Sequence, residues 1–461
     1  MADSNASATG ATYKAPGSNP ALRMMGLPNL PKKLPSRNWM IFWTLAGTLS
    51  AAIIYDKREK KRATARWVRA VSHLAKEPIA SPSEMPRKVT IFLESPPTDG
   101  LRVAQDHYTE YVKPILAASG LDWEFVQGRK EGDIRAAVAE RIRRTRDPDA
   151  TAATPTQDEA IDKVRRLNGT PEYSGVRGDI IIGRHTWKEY VRGLHEGWLG
   201  PLAPPSLPTP ELNVGEPTDL STATNAGTGP GTTEGAPQGD AAGGEQKKSE
   251  ETKKEEEKKP ERPPQPPPYN TTADYPSSAI PMLIPAEFSP SAPIQFPHIL
   301  GFFNTFIRLG RFLNRRHLAD DVGREVAAVC LATAREYREE TNLSSADEAE
   351  PEPATALAWE EKDWPKSVWK DDQKNEDDDK KKDVLATPPA EKIWTSSIVL
   401  DPRITMRMRR FELQPEDEAR ARAIVVPEEE VEGWIKGSLR SLWRWAVTPD
   451  PKPKPVPVDE W

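Results

Sequence analysis

WMIFWTLAGTLSAAIIY, residues 39–55, carries no charge across seventeen positions and is closed by an aromatic residue at each end. Lys32, Lys33 and Arg37 precede it, and Lys57, Arg58, Lys60, Lys61 and Arg62 follow it. A helix needs ~17–25 apolar residues to cross ~30 Å of hydrocarbon. This stretch lies at the short end of that range, so little tilt is expected. Trp39, Trp43 and Tyr55 suit the headgroup zone, and the flanking cations can snorkel to it. The alternative is a buried core helix, but core helices seldom carry basic clusters against both ends. The reading is therefore one N-terminal transmembrane helix with a basic juxtamembrane helix over 56–84, stopped by Pro78.

Upstream, residues 1–38 hold one acidic side chain, Asp3, against Lys14, Arg23, Lys32, Lys33 and Arg37. A basic, Ser-rich, acid-poor arm is the composition of a mitochondrial targeting segment. Pro16, Pro20, Pro28, Pro31 and Pro35 break any long amphipathic helix in it. An ordinary secretory signal peptide does not fit, because the apolar run starts too late.

Downstream lie about 400 residues, enough for one or two domains. With 29% charged residues and 47 prolines, folded parts should alternate with long disordered ones. The net charge of -6 does not advertise a nucleic-acid partner. The single cysteine, Cys330, excludes an intrachain disulfide and paired-cysteine zinc motifs. Ectodomains of the secretory pathway usually carry disulfides, which argues against a cell-surface protein.

Between 85 and 200 the pattern alternates. Val89–Leu93 (VTIFL), Leu121–Val126 (LDWEFV) and Asp179–Ile182 (DIII) read as strands. Leu101–Ser119, Glu131–Arg144, a short helix at Glu159–Leu167 and a helix from Thr186 read as the helices between and after them. That order predicts a parallel α/β sheet with right-handed crossovers. Residues 201–278 read as a disordered linker, and 341–391 as a disordered acidic insert. Between them, 279–340 is an apolar-basic helical segment, with an extended piece at Ile280–Pro285. Residues 392–447 should supply strands at Ile398–Leu400 and Ile404–Phe411 and an amphipathic helix at Glu428–Trp445. That helix would turn Val431, Trp434, Ile435, Leu439, Leu442 and Trp443 inward, ahead of a Pro-rich tail over 448–461. The fold class is α/β: a single N-terminal transmembrane helix, then a soluble parallel-sheet domain with disordered inserts and helical C-terminal additions.

The chemistry expected of an enzyme is sparse. No Gly-rich phosphate loop, HExxH helix or GxSxG elbow occurs in the sequence. Glu94, Asp99 and Asp179 fall near strand C-termini, where α/β sites gather, but that location alone says little and a solvated loop carboxylate is the favoured reading of each. His185 and His195 flank one helix and read as surface or helix-end histidines. Cys330 sits on an apolar helix face and reads as a small core residue. No catalytic residue, cofactor or metal ligand is therefore assigned.

Two clusters stand out instead. Lys57, Arg58, Lys60, Lys61 and Arg62, with Arg66 and Arg69, suit anionic headgroups or serve as a topology signal. Phe302, Phe303 and Phe306 with Arg308 and Arg311 suit a bilayer interface or an apolar partner groove. The other reading of that segment is a core helix with an exposed basic face.

Three long strings carry a family resemblance: RNWMIFWTLAGTLSAAIIYDKREKKRATARW (37–67), DIIIGRHTWKEYVRGLHEGWLGP (179–201) and GFFNTFIRLGRFLNRRHLADDVGREVAAVCLA (301–332). Each resembles the fifty-four-kilodalton subunit of the fungal mitochondrial carrier translocase, a protein-import complex of the inner membrane. The resemblance implies a non-enzymatic scaffold that helps insert multispanning carrier proteins. It implies as partners the channel-forming subunit, the small intermembrane-space chaperones, carrier clients and the inner-membrane AAA protease.

The resemblance also places the bulk of the chain in the intermembrane space. The charge count disagrees, because more Lys and Arg follow the span than precede it. The acid-poor arm favours the intermembrane-space reading. Two further readings stay open: a membrane-tethered α/β enzyme acting on lipid, and a lipid-binding tether.

Overall fold

In the computed structural model the described residues are 36–78, 85–147, 157–170, 173, 175–204, 264–340, 350–361, 391–432, 437–440, 442 and 443. Residues 1–35, where a targeting arm is expected, most of both inserts and the Pro-rich tail lie outside them. The chain divides into two units, Met1–Arg58 and Glu59–Trp461.

The first unit holds the N-terminal part of helix α1 (Arg37–Val71). It is the one helix among the described residues long and apolar enough to cross a membrane. Trp39, Trp43 and Tyr55 are exposed on it, and the rings of Trp39 and Trp43 stack 6.2 Å apart.

The second unit is a three-layer α/β domain. Its elements begin with β1 (Lys88–Glu94), α2 (Leu101–His107), a π-turn (Tyr108–Val112) and α3 (Lys113–Ser119). Gly120, at φ 74°, ends α3 in the left-handed conformation that a glycine adopts without strain. Then follow β2 (Asp122–Gly128), α4 (Asp133–Arg146), α5 (Gln157–Leu167), β3 (Gly178–Ile182) and α6 (Thr186–Leu199).

The sheet does not stop at residue 200, where the sequence pattern ends the α/β domain. It continues through β4 (Ser291–Ile294), α7 (Thr305–Phe312), α8 (Arg315–Leu331) and β5 (Ala334–Glu336). A two-strand ladder of β6 (Glu339–Glu340) and β7 (Glu350–Pro351) leads into α9 (Glu352–Thr355) and α10 (Ala358–Glu361). The last elements are α11 (Pro402–Thr405), β8 (Arg409–Phe411), α12 (Pro415–Ala423) and α13 (Glu428–Glu432).

The six-stranded order is β2-β1-β3-β4-β8-β5. Every pairing is parallel except the edge pair β5–β8, so the sheet is mixed rather than wholly parallel. Side chains alternate across it, as the period of a strand requires. Val89, Ile91, Leu93, Ile180 and Ile182 face a layer made by α2, α3, α8 and the end of α1, which contributes Trp67 and Val71. Phe92 and Ile181 face the opposite layer, where Ile134, Val138, Val191 and Leu194 of α4 and α6 meet Ile404 and Met408. Cys330 is buried in the first layer, as its apolar helix face suggests, and burial pushes its thiol up to about 11.

Several local expectations fail for physical reasons. Ile404–Phe411 is not one strand: Asp401 accepts the Arg403 N–H at 2.8 Å and Pro402 starts a helical turn, which leaves only β8 extended. Ile398–Leu400 forms no strand. Residues 264–278, assigned to the linker, are ordered against the domain, and Tyr275 is buried there. On the C-terminal amphipathic segment Val431 is buried, whereas Leu439, Leu442 and Trp443 are exposed; Trp434 and Ile435 lie outside the described residues.

Candidate functional site

The chain leaves β1 towards β2 on one side, and β3 leads to β4 on the other, so the strand order reverses between β1 and β3. In open α/β sheets, ligands bind outside the strand C-termini at such a reversal. Here that place is filled by the protein itself. Glu94 ends β1, Gly183, Arg184 and His185 follow β3, and all but Gly183 have buried side chains. Gly183, at φ 146°, brings the turn so close to α6 that a Cβ would meet Thr186 Oγ1 at 2.0 Å.

Glu189, one turn into α6, is the centre of the cluster. Its carboxylate accepts the backbone N–H groups of Gly132 (2.6 Å), Ile134 (3.1 Å) and Arg135 (3.3 Å), which are the orphan donors at the start of α4. It also accepts the Trp394 indole N–H at 2.7 Å. Burial pushes Glu94 well above the ordinary carboxylate range, and the neighbouring Glu189 pushes it further. Both causes disfavour the charged carboxylate, so the fold favours a proton on Glu94 beside Glu189. Trp394 comes from the segment following the acidic insert. Its ring stacks on His185, its backbone N–H donates to Glu131 at 3.0 Å, and its carbonyl accepts Lys188 Nζ at 3.1 Å.

The titratable residues singled out from sequence are, Asp99 apart, buried. Glu94 is not a solvated loop carboxylate, and His185 and His195 are not at the surface. His195 Nδ1–H donates to the Val191 carbonyl at 2.8 Å, and Nε2 accepts the Asp401 N–H at 2.9 Å, which defines a neutral tautomer. Burial lowers its pKa to about 4. Asp179 lies at the N-terminal end of β3 rather than near a strand C-terminus; it accepts the Tyr190 hydroxyl at 2.7 Å and lies 3.5 Å from Arg141. Asp99 alone is exposed, and accepts from His298 Nε2 at 2.7 Å.

Glu131, Glu189, Glu196 and Trp394 escaped the sequence reading. All of α6 is buried, and Glu196 joins Arg135 and Arg143 of α4. The usable signal was the spacing Gly193–Gly197. A Cβ at Gly193 would sit 2.7 Å from the Arg135 carbonyl, and one at Gly197 would sit 2.7 Å from Ile142 Cβ. Glycines four apart mark a helix face against which another backbone packs closely.

The two basic clusters have different fates. Lys60 is ion-paired to Glu110 and lies 4.8 Å from the Tyr111 ring centroid, so it faces the domain rather than solvent. Arg62 pairs with Glu59 at 2.6 Å, Arg66 pairs with Asp320, and Lys57 and Lys61 are exposed. Arg58 is half-buried. The segment at 299–316 is not a core helix. Phe302, Phe303 and Phe306 are 85%, 92% and 84% exposed. Arg308, Arg311 and Arg315 instead line a cleft of about 840 Å³, together with Asp99, Asp106 and Glu110.

Residues 19–411 match the family described as "Inner membrane protein import complex subunit Tim54". The chain belongs to the Tim54 family. It is 58% identical over 440 residues to the mitochondrial import inner membrane translocase subunit tim54 of Neurospora crassa, covering 93% of this chain and 88% of that one. The Aspergillus oryzae subunit is 46% identical over 419 residues, covering 86% and 89%. The Saccharomyces cerevisiae Tim54 is 28% identical over 497 residues, covering 88% and 96%. As a Tim54 family member the chain is a subunit of a protein-import complex of the mitochondrial inner membrane, with one candidate N-terminal span.

Proposed function

We propose that the chain is a non-enzymatic scaffold of the translocase that inserts multispanning carrier proteins into the inner membrane. The observation that carries this reading is the filled crevice at the β1–β3 reversal. Trp394 and the Glu94–Glu189 pair occupy the place where an α/β enzyme would seat its substrate, and the Trp394 indole and the Glu189 carboxylate bond to the fold itself. Such a site tethers the C-terminal segment to the sheet. The Tim54 family supports partners within an import complex: a channel-forming subunit, small intermembrane-space chaperones, carrier clients and the inner-membrane AAA protease. The acid-poor arm ahead of the span supports an intermembrane-space location for the bulk of the chain.

The test is carrier import into mitochondria whose only copy is Glu94→Gln or Asp179→Asn. A scaffold imports carriers normally with either variant at normal complex abundance. A variant that is abundant and assembled yet inert overturns the reading, since losing a general acid or base costs ~10²–10⁴ in rate while the fold survives. Protease added after rupture of the outer membrane should remove the domain beyond the span; full protection would place it in the matrix.

A further inference from the structure

Helix α7 is amphipathic in the wrong sense for a helix on a free protein surface. Arg308 and Arg311 line the cleft with the acidic groups of α2 and the adjoining turns, Phe312 lines it beside them, and Phe306, Ile307 and Leu309 are exposed outside it. Phe302 and Phe303, in the turn before it, meet edge-to-face at 6.0 Å. Phe306, Ile307 and Leu309 add further exposed apolar side chains in the same sequence run, at the start of the helix. A surface helix ordinarily buries that stripe. Arg308 and Arg315 are also exposed, so cations border the patch.

The position of α7 selects what covers it. Arg316 and His317, at the start of α8 just after α7, line a second cleft with Glu59, Arg62 and Arg66. The helix therefore lies at the end of the domain where the chain enters. Glu59 follows Tyr55, the last residue of the apolar run, by four residues, a length that reaches at most about 14 Å even when fully extended. A bilayer is thus the surface permanently within reach, at the effective concentration that a short tether imposes.

We propose that Phe302, Phe303 and α7 form an interfacial anchor that lies on the anionic membrane surface from which the span emerges. The aromatic patch enters the headgroup boundary, and Arg308 and Arg315 meet lipid phosphates. The anchor fixes the domain's orientation over the membrane at a second point besides the span. It rests on the reading of residues 39–55 as a span and not on the scaffold role.

The test uses the full-length chain with Cys330→Ala, reconstituted in liposomes of phosphatidylcholine with and without phosphatidylglycerol. An environment-sensitive fluorophore is placed at Phe303→Cys, at Phe306→Cys or at Leu167→Cys, an exposed apolar position on α5. The expected result is quenching by lipid-borne nitroxide about tenfold stronger at 303 and 306 than at 167, since an interfacial helix sinks ~5–10 Å into the headgroup boundary. Labels at 303 and 306 that behave like the label at 167 overturn the proposal. So does a photo-crosslinker at 306 that captures another protein in mitochondria while lipid quenching is absent, because the patch then serves a partner groove. Quenching indifferent to phosphatidylglycerol overturns the assignment to an anionic surface. Lost carrier import would leave all these readouts unchanged, so a failure of the scaffold reading is distinguishable.

Discussion

Helices α6 and α7 invert the usual arrangement in opposite directions. Helix α6 carries Lys188, Glu189, Arg192, His195 and Glu196 and buries every one of them. Helix α7 carries Phe306, Ile307, Leu309 and Phe312 and exposes every one of them. The difference lies in partners. Each charged group of α6 meets one within the domain, such as Arg135 for Glu196, Glu391 for Arg192 and two carbonyls for Lys188. The apolar stripe of α7 has no comparable cover among the described residues. Buried charge that is fully bonded specifies how segments far apart in sequence come together. Exposed apolar surface at a tethered end specifies what the domain rests on.

That contrast breaks first, and hardest, at Glu189. Glu189→Ala removes the shared acceptor of three backbone N–H groups and the Trp394 indole. The expected loss is about 3–5 kcal/mol, the cost of leaving a buried polar network unpaired. Thermal unfolding of the purified full-length chain in detergent measures it. A change near zero would show that the segment carrying Trp394 is not held by this cluster.

A smaller effect is expected from acidity. Glu94 titrates well above its ordinary value of 4.5 in the folded chain, so the folded state binds its proton more tightly than the unfolded state does. Its contribution is complete below about 4.5 and declines as pH rises towards the elevated folded value. The slope is at most about 1.4 kcal/mol per pH unit, the worth of one proton. Glu94→Gln keeps a donor facing Glu189 without the titration, so its stability-against-pH curve should be flatter above the ordinary glutamate range. Parallel curves for the two proteins would mean that Glu94 is not the proton carrier.

The smallest effect belongs to the exposed side of the comparison. Phe306→Ser should change the stability of the detergent-solubilised chain by no more than ~0.5 kcal/mol, as surface substitutions do. A loss of several kcal/mol would put Phe306 in a core and cancel the contrast with α6.

Much of the fold was legible in local pattern. The uncharged run at 39–55, the apolar runs of β1 and β3, and Gly120 at the end of α3 each carry their meaning within a few residues. The apolar side of α8, with Val322, Val326 and Val329, was equally plain. The candidate crevice was half legible. Glu94 could be placed at a strand end and His185 at a helix end, but His185 is covered by Trp394, some two hundred residues further along the chain. Lys60 read as one more basic residue near the membrane until Glu110 and Tyr111 were seen beside it.

Sequence alone determined the elements whose period is short: the span, the alternation of strands and helices, and the family, whose long strings need no folding to be compared. Tertiary structure alone decided that the sheet takes β4, β8 and β5 from beyond the linker, and that β8 begins only after the Asp401 cap. It also decided that the charges of α6 are interior and the phenylalanines of α7 exterior. The reason is that helical spacing shows which residues share a face, whereas the environment of that face is set by segments distant in the chain.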